Sequence, residues 1–173
     1  MNTDTAQSHI FYVSVGSNVD KEKHTKAGLD GMYLAFGELI LSSVFESESV
    51  GFEGNNFYNL VIKASTTLSI AQVCVVLKQI EQDNKRQRVE KKFAPRTLDL
   101  DLLLYDRQVI TGPIELPRPE VLYNAFVLKP LAEIAPDEIH PVVKESYANL
   151  WQKYDKSQQK LWAIKFEWSS TRL

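Results

Sequence analysis

The chain has 173 residues, of which 44% are hydrophobic and 24% charged, a size and balance that suit one globular domain with a substantial core. A formal net charge of −2 argues against a protein drawn as a whole to nucleic acid or to anionic membranes. The single cysteine, Cys74, excludes an internal disulfide and fits a reducing compartment, and no stretch approaches the length of a membrane span.

Met1 to His9 is polar, lacks the apolar centre of a signal peptide and is expected to be a flexible tail; the expected address is the cytoplasm. Ile10 to Val15 reads as a strand, closed by Gly16-Ser17-Asn18. A helix is predicted from about Lys23 to Phe36, weakened by Gly28 and Gly31. Leu39 to Glu46 reads as a second strand, Ser47 to Asn56 as a polar loop, and Phe57 to Ala64 as a third strand. Ser69 is a suitable N-cap for a helix in which Ile70, Val73, Val76, Leu77 and Ile80 recur on one side, with Cys74 as a core residue.

A basic loop follows, then a strand that carries Asp99 and Asp101. Beyond it, Pro113, Pro117, Pro119, Pro130, Pro136 and Pro141 predict irregular chain, with a helix near Tyr123 to Glu133. Trp162 to Trp168 alternates, placing Trp162, Ile164, Phe166 and Trp168 on one face of a late edge strand. The order strand, helix, strand, strand, helix, strand is the ferredoxin-like βαββαβ order. It predicts an α+β sandwich, an antiparallel sheet with helices packed on one side and C-terminal additions. Residues 10–173 are expected to form a single domain, with 150–173 an extension packed on it.

The chemistry concentrates in Phe93-Ala94-Pro95-Arg96-Thr97-Leu98-Asp99-Leu100-Asp101. On a strand, Asp99 and Asp101 point to one face, roughly 7 Å apart at the backbone, while Leu98, Leu100 and Leu102 enter a core. Two carboxylates held that close repel unless a cation lies between them, and hard oxygen donors suit Mg²⁺. The plainer alternative is a strand end with two solvated acids. Residues 78–96 carry seven Lys or Arg against three Asp or Glu, a local positive excess beside the acidic pair. A metal-holding carboxylate pair next to a basic loop matches the needs of a polyphosphate substrate. Gly16-Ser17-Asn18 is no phosphate-cradling glycine loop, so phosphate recognition falls to arginines and metal.

Val15-Gly16-Ser17-Asn18, Phe57-Tyr58-Asn59, Pro95-Arg96-Thr97-Leu98-Asp99-Leu100-Asp101 and Phe126-Val127-Leu128-Lys129-Pro130-Leu131-Ala132-Glu133-Ile134-Ala135-Pro136, in this order, resemble the 6-hydroxymethyl-7,8-dihydropterin pyrophosphokinase family from Phe11 to about Pro141. The resemblance implies transfer of pyrophosphate from ATP to a pterin alcohol, with release of AMP, in folate biosynthesis. It implies that Asp99 and Asp101 hold two Mg²⁺ ions and that Arg86 and Arg96 contact phosphate and assist transfer. Lys78, Arg88, Phe93, Leu102 and Arg118 fall to the ATP side. Val50, Gly51, Phe57, Asn59, Glu81 and Phe126 fall to the pterin side, with the flat ring stacked between Phe57 and Phe126 and its edge bonded by Asn59 and Glu81. Without the resemblance, plain core packing is the better reading of the two phenylalanines, and Lys91 and Lys92 read as solvated charges. The implied partners are ATP and the pterin alcohol, with no nucleic acid and no membrane; a monomer is favoured over a homodimer.

The chain departs from the family in four places. Arg118 stands where a histidine follows the proline, and Asn124 where an arginine commonly precedes the motif phenylalanine by two residues. Phe93 replaces a frequent tryptophan, and Glu48 a common proline. Loss of a permanent cation at Asn124 is expected to weaken ATP binding or slow transfer unless Arg118 or Lys129 moves in. A weakly active pterin- or nucleotide-binding relative is one alternative, and an RNA-binding module with the same strand order is another, disfavoured by net acidity. Trp151, Trp162 and Trp168 of the tail read as added core in preference to a dimer patch.

Overall fold

β1 (His9–Ser17) is the strand around which the sheet is built. In the computed structural model, which describes residues 7–48, 56–84, 97–157 and 159–172, it pairs antiparallel with both β4 (Phe57–Thr66) and β5 (Asp99–Tyr105). Its residues are buried on both faces: Phe11, Val13 and Val15 on one side, Tyr12 and Ser14 on the other. β3 (Val44–Ser47) and β6 (Leu161–Ile164) extend the sheet to the order β5-β1-β4-β3-β6, while β2 (Ile40–Leu41) pairs separately with β4. The core strands therefore follow the predicted ferredoxin-like order, all antiparallel.

The second predicted strand is split into β2 and β3 because two serines compete with the ladder. The Ser42 hydroxyl accepts the Val61 N–H at 2.9 Å, and the Ser43 N–H and hydroxyl donate to the Glu133 carboxylate at 2.8 and 2.7 Å.

α1 (Lys21–Phe36) and α2 (Ile70–Asp83) cover one face of the sheet. Ser69 caps α2 in a reciprocal box with Gln72, as its position before the apolar run suggests. The two glycines of α1 are contact points. A Cβ at Gly28 would lie 3.0 Å from a Leu98 methyl, and one at Gly31 would lie 3.1 Å from Ile80. Their helix propensity is sacrificed for a close approach of α1 to α2 and to the residue just before β5.

The opposite face is also covered, which the one-sided arrangement expected from strand order did not include. α4 (Ala125–Ile134) and α5 (Tyr147–Lys153) pack Val127, Leu128, Leu131 and Tyr147 against Tyr12, Val61, Leu103 and Leu104. A short α3 (Glu120–Tyr123) precedes α4, so the helix predicted near Tyr123 is interrupted at Asn124. α5 starts at Ser146, whose side chain accepts the Asn149 N–H; among prolines and polar residues that cue is weak. The sheet face that an RNA-binding module of this topology would use is thus packed with apolar side chains.

β5 changes its facing part-way. Leu102 lies opposite Val13 and Leu104 opposite Tyr12, leaving Leu103 as an extra residue in a bulge. Leu103 and Leu104 both pack under α4, and Tyr105 returns to the core under α1 and α2.

β6 ends earlier than the alternation predicted, at Ile164, and the chain then runs against α1. Phe166 meets Tyr58 edge-on at 6.1 Å, and the Trp168 indole N–H donates to Asp30 at 2.8 Å. Ile164, Phe166 and Trp168 are added core, whereas Trp162, opposite Glu46, remains 41% exposed. Among the described residues no helix is long and apolar enough to cross a membrane.

A branched side chain at Gly28 would push into Leu98 and disturb the entry to β5. Gly28→Val is expected to lower stability by about 1–3 kcal/mol in urea denaturation, against the gain that a better helix former would bring elsewhere.

Candidate active site

The register of three strands assembles the site. Gly16 on β1 lies opposite Asn59 of β4 on one side and Asp99 of β5 on the other, and the next row on the same face has Ser14 opposite Asp101. A Cβ at Gly16 would lie 3.1 Å from Asn59 Oδ1, so the missing side chain lets the amide lie over β1. Asn59 Nδ2 donates to Ser47 Oγ at 3.3 Å, which fixes the buried amide against β3.

This floor opens into a cavity of about 700 Å³. Phe57 and Asn59 line one part, Asp99 and Asp101 another, and the start of α4 contributes Asn124 and Phe126. The two aspartates share a face because they are two apart in β5, with Leu98, Leu100 and Leu102 buried on the other side.

Arg118 is drawn towards the acids. Its backbone N–H donates to Leu103 O at 2.9 Å; its Nη2 lies 3.5 Å from Asp101 Oδ1 and its Nε 3.4 Å from Glu120 Oε1. Each of these pairs is partly exposed and contributes at most about 1 kcal/mol, so the guanidinium can be displaced by a better counter-ion. Among the described residues no group of three or more His, Cys, Asp or Glu is placed to hold a metal. Two carboxylates on one open face are nevertheless a fitting donor set for Mg²⁺, which keeps several waters and completes its shell with substrate phosphates.

The residues predicted for the site divide three ways. Asp99, Asp101, Phe57, Asn59, Phe126 and Arg118 line the same cavity. Glu81 does not: its Oε2 accepts the Leu100 N–H at 2.7 Å, so the carboxylate is directed at the backbone of β5. Leu102 is buried in the core under α1 and α2, and Lys78 is exposed on α2; neither lines the cavity. Val50, Gly51, Arg86, Arg88, Phe93 and Arg96 lie outside the described residues.

Lys129 is not among the residues that line the cavity beside Asn124. Its ammonium sits over the rings of Phe45 and Trp151, at 5.5 and 4.9 Å. Glu120, Gln159, Lys160 and Leu161 also line the cavity, without having been singled out in the sequence. Glu120 follows Arg118 by two residues and was discoverable as its partner, but nothing local marks the other three. Burial pushes the Cys74 thiol up, so it stays protonated near neutral pH and packs against the core.

An antiparallel α+β sandwich whose cavity has paired carboxylates in one part and an aromatic-and-amide wall in another suits a flat heterocycle beside a metal-bound phosphate. Residues 12–136 match the 7,8-dihydro-6-hydroxymethylpterin-pyrophosphokinase (HPPK) family, and the chain belongs to that family. It is 34% identical over 137 residues to a protein of Aquifex aeolicus named 2-amino-4-hydroxy-6-hydroxymethyldihydropteridine pyrophosphokinase, covering 78% of this chain and 85% of that one. A Bacillus subtilis protein of the same name is 35% identical over 132 residues, covering 73% of this chain and 78% of its own.

The folic acid synthesis protein fol1 of Pneumocystis carinii is 35% identical over 154 residues, which are 87% of this chain and 21% of the relative; the chain spans about a fifth of that protein. Among solved structures, wild-type Plasmodium falciparum HPPK-DHPS with pteroate superposes with a TM-score of 0.70 at 14% identity, covering 88% of this chain and 43% of that one. That likeness concerns the fold.

Glu81→Ala would leave the Leu100 N–H without its acceptor beside the aspartates. A loss of about 1–3 kcal/mol is expected on chemical denaturation, with faster hydrogen exchange at the Leu100 amide, and Glu81→Gln should recover most of both.

Proposed function

We propose that the chain transfers the pyrophosphoryl group of ATP to the hydroxymethyl group of 6-hydroxymethyl-7,8-dihydropterin and releases AMP, a step of folate synthesis. The observation that carries this reading is the convergence of Asp99, Asp101, Phe57, Asn59 and Phe126 on one cavity, in a chain that belongs to the HPPK family.

In this reaction the hydroxyl oxygen forms a bond to the β-phosphorus of ATP. The bond from that phosphorus to the α,β-bridging oxygen breaks, AMP leaves with the bridging oxygen, and the hydroxyl proton is released. The electrophile is strongly anionic, and the described cavity lining adds Glu48, Asp99, Asp101 and Glu120 against Arg118 and Lys160. An acidic wall attracts a polyphosphate only when cations stand between them. Asp99 and Asp101 would hold Mg²⁺, two ions on this reading, which neutralises triphosphate charge and aligns the hydroxyl for attack when bound.

The chain's own side chains then divide the remaining work. Phe57 and Phe126 present flat apolar surface to the pterin, and the Asn59 amide bonds its edge, rejecting rings that lack the matching groups. Arg118, only loosely paired with Asp101, would turn to phosphate with Mg²⁺ held at the carboxylates, since a guanidinium fork suits phosphate oxygens. By resemblance Arg86 and Arg96 contact the transferred phosphates, Arg88 and Phe93 the nucleotide, and Val50 and Gly51 the pterin. The same reading makes the protein a monomeric cytoplasmic enzyme.

The test is AMP formation from ATP and Mg²⁺ with and without the pterin alcohol. Wild-type protein should form AMP only when the pterin is present, and Asp99→Ala and Asp101→Ala should each lower turnover by about 1,000-fold with the fold retained. Folded wild-type protein that makes no pterin-dependent AMP, or aspartate variants with unchanged turnover, would overturn the reading. Asn59→Ala should weaken binding of the pterin alcohol by about 10- to 100-fold in fluorescence titration.

A further inference from the structure

The segment between α5 and β6 lies outside residues 12–136, the stretch that matches the family, yet with the first residue of β6 it forms part of the cavity wall, through Ser157, Gln159, Lys160 and Leu161. Two anchors hold it there. Gln159 Oε1 accepts the Ala125 N–H at 2.6 Å, which fastens the segment to the start of α4 between Asn124 and Phe126. Leu161 lies opposite Ser47, which itself lies opposite Phe57 and accepts a hydrogen bond from Asn59. Lys160 is therefore fixed between the start of α4 and the Phe57–Asn59 wall.

Charge singles out this lysine. Four carboxylates and two cations line the described cavity; one cation, Arg118, lies beside Asp101 and Glu120, and the other is Lys160. Two other nearby lysines are directed elsewhere: Lys129 lies over Phe45 and Trp151, and Lys156 lies 4.6 Å from the centre of the Trp151 ring. Lys160 is exposed and makes no ion pair among the described residues, which leaves its ammonium available to an anion in the cavity.

We propose that Lys160 is a substrate-binding residue whose ammonium takes an oxygen of the pyrophosphoryl group, on ATP before transfer and on the pterin product after it. The inference rests on the pyrophosphokinase reading. Chemically it asks for little: a compact point charge on a flexible stem can follow a phosphoryl group through a change of partner, whereas a rigid fork is tied to one geometry. Gln159 acts as the positioning residue that keeps the lysine at the wall.

The experiment measures binding of α,β-methylene-ATP with Mg²⁺ and, separately, of the pterin alcohol, by calorimetry at several salt concentrations. Lys160→Gln and Lys160→Met are expected to weaken analogue binding by about tenfold and to flatten its salt dependence, with pterin affinity within about twofold of wild type. Lys160→Arg should restore most of the loss. Gln159→Ala, which frees the segment while keeping the charge, should give an intermediate loss. Thermal denaturation checks that each variant is folded, a condition an exposed lysine should meet.

Analogue affinity and salt dependence unchanged in both neutral variants would overturn the proposal, as would an equal loss of pterin affinity. Pterin-dependent AMP formation by the wild type is measured first. Its absence removes the pyrophosphokinase reading and this inference with it, while its presence alongside unaltered neutral variants removes only the role of Lys160.

Discussion

The site depends on one strand having two different faces. β5 and the residue just before it bury Leu100, Leu102 and Leu98 against α1 and α2, and the same pleat sends Asp99 and Asp101 to the cavity. Each of those leucines contributes roughly 1.5–3 kcal/mol of burial, and a slip by one residue would exchange leucines for carboxylates in the core. The register is therefore held by hydrophobic burial on the side away from the chemistry. The bulge at Leu103 ends this arrangement within a few residues. Beyond it the strand packs Leu104 under α4 and returns Tyr105 to the other core, so the acidic face occupies only one end of β5.

Close approach is the second requirement, and it explains where side chains are missing. Gly16 sits in the row between Asn59 and Asp99, and its bare backbone leaves room for the Asn59 amide. Gly28 admits Leu98 against α1, which seats the chain just before the aspartates. Glu81 bonds the Leu100 N–H between the two acids, so α2 also pins the strand. A helix interior would ordinarily favour alanine at Gly28. Here the geometry of the neighbouring strand outweighs about 1 kcal/mol of propensity.

Much of this was legible in the sequence for identifiable reasons. Apolar runs marked β1, closed by Gly16-Ser17-Asn18, and β4, after a polar loop; Ser69 marked the start of α2; and spacing alone put Asp99 and Asp101 on one face of β5. The bond from the Leu100 N–H to Glu81 was not legible because a family correspondence says which residue type stands at a position but not which neighbour its side chain meets. The split at Ser42 and Ser43 was hidden because it depends on Val61 and Glu133, which are remote in sequence. The covering of the second sheet face was hidden because α5 is short and weakly signalled. Lys160 escaped notice for the same kind of reason: only the bond from Ala125 to Gln159 and the pairing of Leu161 with Ser47 bring it to the cavity.

Those two contacts also change what the tail is for. Trp168 and Phe166 fasten the end of the chain to α1 and β4, on the face of the sheet away from the cavity, while β6 pairs with β3 and presents Leu161 to the cavity side. Packing on one face thus steadies a wall on the other, as burial of the β5 leucines steadies the aspartates. The boundary of the family match at Pro136 is consequently not the boundary of the site. A cavity lined by four carboxylates needs positive charge from wherever the fold can deliver it. Among the described residues, Arg118 stands beside two of those carboxylates and Lys129 is held over aromatic rings, so Lys160 of the tail adds a cation that no described carboxylate shares.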